Sequence, residues 1–155
     1  LSVSKEENPL KTFWAMLGAL LLSILLLDLG MVYITFDKLS RVTEHSLDAA
    51  LVAGIREEDA RLGRLCVDPA EAQDAALKTL RDNLNLDGSL ENRIMKDTVF
   101  TVTVLQDSSP AQAGPRPYVE GIVSTRVRVI SPRLFGLEGI PVTVSRTQFH
   151  MSNYR

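Results

Sequence analysis

Apolar positions divide this chain into three regimes. Residues 13–36, FWAMLGALLLSILLLDLGMVYITF, form a 24-residue apolar run interrupted by one ionisable side chain, Asp28. At ~1.5 Å rise per residue the run reaches roughly 36 Å, enough to cross a hydrocarbon core of about 30 Å with some tilt. A signal-peptide core is shorter, and a buried helix of a soluble protein usually keeps a polar stripe. The run is therefore read as a membrane-inserting helix. The following residues keep a helical period, with Leu39, Val42, Leu47, Leu51 and Ile55 near one side, so one helix is expected over 9–61. Its apolar part is 13–36 and its amphipathic part 37–61. Asn8 is a suitable N-cap and Pro9 a favoured first helical residue.

A second helix is expected after Asp68-Pro69-Ala70-Glu71, which supplies an acidic cap, a proline at the first position and a glutamate in the first turn. Ala72, Ala75, Ala76, Leu80 and Leu84 then share one side, and the helix should end before Asn85–Gly88. From Phe100 the period changes to two. Phe100, Val102 and Val104 alternate with threonines; Val119, Val123, Val127 and Val129 alternate with Glu120, Ser124, Arg126 and Arg128. Such segments make antiparallel strands with one wet face. SSPAQAGPRP reads as a connection, SPRLFGLEGIP as a turn or short helical corner, and Val142 to about Met151 as the last strand. The expectation is an α+β fold: a long N-terminal helix, a short second helix and an antiparallel sheet of three to four strands. The organisation is a short segment 1–8, the helix 9–61, and a head domain 62–155 completed by the C-terminal part of that helix. Ala49, Ala50, Ala53 and Gly54 would let the helix approach the valine face of the sheet closely.

Composition narrows the function. Seventeen basic and nineteen acidic residues give a net charge of -2, which creates no field for nucleic acid. Cys66 is the sole cysteine, so packing must hold the fold; it is read as a free thiol on a buried helix edge. The start at Leu1, without Met, is read as a processed chain that kept its apolar segment. Lys5 and Lys11 before the run, with Lys38 and Arg41 after it, leave orientation open. No nucleophile elbow, zinc-protease helix or phosphate loop occurs, so no catalytic residue is assigned and the chain is read as a non-enzyme. His45 and His150 read as surface residues. Arg126, Arg128 and Arg146 on the open sheet face are candidates for an anion, with a solvated face the simpler reading. No cofactor is expected. The weak metal candidate is calcium at Asn83, Asn85, Asp87 and Glu91, spaced as in an EF-hand but with Ile94 where the bidentate glutamate belongs. The same spacing makes an ordinary helix exit.

Two stretches, Asp28-Leu29-Gly30 and Asp48-Ala49-Ala50-Leu51-Val52-Ala53-Gly54, within LLLDLGMVYITFDKLSRVTEHSLDAALVAGI, resemble the N-terminal region of TadE/TadG-like proteins of Tad (Flp) pili, in the type IV pilin superfamily. The C-terminal run PRLFGLEGIPVTV is also similar to the way those domains end. The chain differs from ordinary type IV pilins in Leu1, in Lys5 where they keep a glutamate, and in the late helix start at Pro9. The resemblance implies a pilin-like subunit, membrane-inserted before assembly. An assembly machine would extract it, and it would polymerise through its apolar helix into a homo-oligomeric filament at the cell surface, a structure of the kind used in adhesion. The alternative is a membrane-anchored minor pseudopilin or envelope binding domain. The subunit-interface candidates are Leu1, Lys5, Glu6, Glu7, Lys11, Phe13, Trp14, Asp28 and Tyr33. Asp28 needs a partner in a low-dielectric core: Lys11 or the Leu1 amine of a neighbouring subunit, or else a backbone carbonyl or Tyr33 if it stays neutral.

Overall fold

The computed structural model describes residues 9–55, 67–107, 116–134 and 136–149. Its elements are helix α1 (Pro9–Gly54), helix α2 (Pro69–Leu84), strand β1 (Met95–Asp107), strand β2 (Arg116–Val127), the short helix α3 (Ile130–Leu134) and strand β3 (Ile140–Phe149). The three strands form one antiparallel sheet in the order β1-β2-β3. The C-terminal part of α1 and the whole of α2 cover one face of it, giving two layers around one core.

The α2 boundaries follow the sequence signals. Asp68 has extended backbone, and its Oδ1 accepts from the Ala70 N–H at 2.9 Å and the Glu71 N–H at 3.4 Å. At the other end Asn85 takes the left-handed conformation, φ 51°, and closes the helix. Ala72, Ala76, Leu80 and Leu84 are buried and Ala75 is half-buried.

α1 ends earlier than its pattern suggests. It closes at Gly54, short of Arg61, because Ile55 turns away to form an antiparallel bridge with Val67, and the Asp68 N–H donates to the Gly54 carbonyl at 2.8 Å. A side chain at Gly54 would collide with Val67, so this glycine permits the return of the chain. Ala50 and Gly54 are buried in the contact with α2, next to Val67, Ala72 and Ala76, whereas Ala53 is exposed. The small residues thus fit helix to helix. The close approach to the sheet is made from the other side, where Leu47 sits over Gly121 of β2. Cys66 and Arg61 lie outside the described residues.

The core runs along α1. Leu39 and Val42 pack with Leu80, Leu84, Val123, Val127, Val142 and Val144; further along, Leu47, Ala50 and Leu51 pack with Ala72, Ala76, Val102 and Val119. β2 therefore runs antiparallel to α1, and the Val127 end of the sheet faces the apolar part of the helix. The alternation of valines with Thr, Glu and Arg is the pattern of a sheet with one covered face. β2 begins at Arg116, so Arg116 and Pro117 belong to the strand and not to the connection. Pro117 pairs with Gln106 of β1 near the start of β2, and the described β2–β3 pairing runs from Tyr118 to Val127. The last strand starts at Ile140, before Val142, and its expected end at Met151 lies outside the described residues.

Candidate functional site

The feature that stands apart is the division of α1 at Asp28. From Pro9 to Leu27 the helix projects beyond the head, and most of its large apolar side chains are open: Trp14 is 61% exposed and Leu27 68%. Nineteen residues at ~1.5 Å each make about 28 Å of unsheathed apolar helix. At Asp28 the head domain begins. Asp28 is buried, Val32 packs against the core, and Thr35, Leu39 and Ser40 follow it into cover. The helix is long and apolar enough to cross a membrane. The apolar run 13–36 is thus not uniform: its last third carries the head on one side and leaves Leu29, Tyr33 and Ile34 exposed.

Asp28 fastens that junction. Its Oδ1 accepts from the Ile130 N–H at 2.9 Å and its Oδ2 from the Ser131 N–H at 2.6 Å. Ile130 and Ser131 open α3, whose first N–H groups have no partner inside so short a helix. A carboxylate on one helix therefore caps another, and two part-buried donors and one buried acid satisfy each other. The partner sought for Asp28 in a neighbouring subunit, or in a backbone carbonyl or Tyr33, is supplied by backbone N–H groups of the same chain. Tyr33 is 72% exposed and does not meet it.

The other interface candidates are dispersed or undescribed. Lys11, Phe13 and Trp14 are exposed on the projecting helix, with the two rings in an edge-to-face contact at 5.8 Å between centroids. Leu1, Lys5, Glu6 and Glu7 lie outside the described residues.

A second α1 contact involves Arg146. Its Nε donates to Glu44 Oε1 at 2.8 Å, and a terminal guanidinium nitrogen donates to Ser40 Oγ. Arg146 shares the covered face with Val142 and Val144, so it turns toward α1 and not outward with Arg126. Arg126 instead meets Asp97 and Glu138 at 3.7 and 3.6 Å, and Arg128 lies past the end of β2. The anion-binding trio does not assemble. Asp97 sits at a bulge in β1 with φ 51°, and behind it Thr98 and Thr125 pair their buried hydroxyls at 2.8 Å.

The calcium candidates form a helix exit. Asp87 Oδ1 accepts from the Ser89 and Glu91 N–H groups, Glu91 Oε1 accepts from the Asp97 N–H, and the Asn83 amide donates to the Thr79 carbonyl. Asn85 is the helix cap itself. Among the described residues no group of three or more His, Cys, Asp or Glu side chains is arranged around a common point. His45 is exposed, and His150 lies outside the described residues. A cleft between α2 and the edge of β1 is lined by Gln73, Leu77, Phe100, Thr101 and Val102, with the Gln73 amide donating to the Val102 carbonyl at 3.1 Å.

No family model, curated protein or solved structure matches the chain.

Proposed function

We propose that this protein is a structural, non-enzymatic, pilin-like subunit. It is held in a membrane by the projecting part of α1 and then packed, helix against helix, in the core of an extracellular filament of the type IV or Tad-like kind. The observation that carries this reading is the single unsheathed apolar helix, continuous with a helix that also builds the head domain. Water cannot be its final environment, because each exposed Leu, Phe or Trp side chain gains about 1.5–3 kcal/mol on leaving it. Lipid supplies one apolar environment and a bundle of like helices another. A rigid continuous helix transmits the arrangement of the buried ends to the heads. An assembly machinery that lifts the subunit from the bilayer is the partner this demands.

The second reading is an anchored, non-polymerising head such as a minor pseudopilin or an envelope binding domain. The internal partners of Asp28 favour it, since among the described residues no unsatisfied buried acid is left for a neighbour to neutralise.

Shearing the surface appendages from producing cells and imaging them by electron cryo-microscopy separates the two. The filament reading expects a repeating density that this sequence fits. Filaments built from another protein, with this chain left in the membrane fraction, would replace it with the anchored head.

A further inference from the structure

The end of the sheet that faces the apolar helix combines exposed apolar side chains with arginines unpaired among the described residues. Three large apolar side chains stand open there: Ile94 is 41%, Ile130 53% and Leu137 61% exposed. Hydrogen bonds fix each of them at this end. The Arg128 N–H donates to the Ile94 carbonyl at 2.7 Å, Ile130 is tied to Asp28, and the Leu137 N–H donates to the Pro132 carbonyl at 2.8 Å. Arg93, Arg128 and Arg133 are interleaved with them, and none is paired with a carboxylate among the described residues. Of the acids nearby, Asp97 and Glu138 are engaged by Lys96 and Arg126, and Asp28, Asp87 and Glu91 accept from backbone N–H groups. Arg93, Arg128 and Arg133 are thus the charged groups on this end left without an ion-pair or backbone partner among the described residues.

Its height along α1 is fixed. The Asp28 bonds put Ile130 level with residue 28, and 20 helical residues at ~1.5 Å, the length from Leu10 to Leu29, match a hydrocarbon core of about 30 Å. A bilayer centred on the projecting helix therefore ends where Ile130 begins. Apolar side chains at that depth enter the acyl boundary, while arginines extend to the phosphates.

We propose that this sheet end, through Ile94, Ile130, Leu137, Arg93, Arg128 and Arg133, lies on the surface of the bilayer that α1 crosses, with its arginines on the phosphates of anionic phospholipids. The inference rests on the membrane-inserted state proposed above. It assigns a lipid-bound orientation to the head before any assembly step: the head leans on the membrane and does not swing free.

The test uses the full chain with Cys66→Ser and single cysteines at Leu20, Val52 or Leu137, each carrying an environment-sensitive fluorophore. The variants are reconstituted in vesicles of phosphatidylcholine, alone or with phosphatidylglycerol, containing nitroxide-labelled lipids. We expect deep quenching at position 20, headgroup-level quenching at 137 that is stronger with phosphatidylglycerol, and none at 52, where Val52 is 79% exposed near the far end of α1. Arg93→Gln and Arg133→Gln alter exposed side chains and should each shift the bound-to-lifted ratio roughly fivefold in anionic vesicles. Quenching at 20 with position 137 no different from 52 overturns the inference and leaves the anchor intact. Shielding at 137 that tracks protein density and not lipid composition assigns the patch to a second copy and overturns it too. An unquenched position 20 overturns the membrane-inserted state and the inference with it.

Discussion

Replacing Asp28 by alanine removes a carboxylate and strands two N–H groups, at Ile130 and Ser131, that no other described residue reaches. Hydrogen bonds to a charged group contribute roughly 1.5–3 kcal/mol each, and burial strengthens them. The freed donors recover part of that by meeting water once the α3 corner lifts from α1. The net local loss should be about 3 kcal/mol, most of it in the 130–139 segment, because the α2 and β-sheet packing does not involve Asp28. Amide hydrogen exchange of the full chain in detergent micelles reads this directly. Protection of the Ile130 and Ser131 amides should fall on the order of a hundredfold in Asp28→Ala, while amides in the middle of β2 keep theirs. Asp28→Asn retains one acceptor and should fall in between. Asp48→Ala, on an exposed position of the same helix, is the control and should leave both sets within twofold. Unchanged protection at Ile130 and Ser131 in Asp28→Ala would show that other contacts hold the corner and that the acid is not its fastener.

Three further outcomes follow from the packing. Leu39→Ala empties a fully buried position between the helix and the valines of β2 and β3 and should cost about 2–5 kcal/mol in urea unfolding of the head. Gly121→Ala would place a Cβ 2.8 Å from Leu47 Cδ2, and since Leu47 is fully buried the repacking should cost about 1–3 kcal/mol. A double-mutant cycle on Arg146→Ala and Glu44→Ala should give a coupling of only about 0.5–1 kcal/mol, because both side chains are more than a third exposed and water screens the pair.

Local signals in this sequence were those with local causes. The Asp68-Pro69 start of α2 works through N–H groups two and three residues away, and the strand alternation reflects the covered face directly. The partner of Asp28 lies 102 residues further along the chain, so no window of the sequence contains both ends of that bond. For the same reason the uniform run 13–36 conceals where the head begins: only one side of residues 28–36 is covered, and the exposed side stays as apolar as before. The end of α1 was hidden because 37–61 keeps its period and the stop comes from a bridge between Ile55 and Val67. Arg146 was legible in principle. Its parity with Val142 and Val144 in β3 puts it on the covered face, where Glu44 waits, and only its charge argued for the open one.

These placements give the apolar helix two roles at once. Its first half has no cover of its own, and its second half is the spine of the head. Any state of the protein must therefore bring an apolar environment to Pro9–Leu27 without disturbing Leu39–Leu51, and both lipid and a bundle of the same helices do so.

Trp14, the sole tryptophan, sits in the middle of that demand. Its fluorescence quenching by brominated phospholipids, compared with quenching by aqueous acrylamide, should be measured in membranes and, to test the proposed filament, again in the sheared surface fraction. Strong lipid quenching in the membrane, and protection from both quenchers in the filament, is the result expected for a helix that passes from lipid into a bundle. Acrylamide reaching Trp14 freely in both states would contradict it.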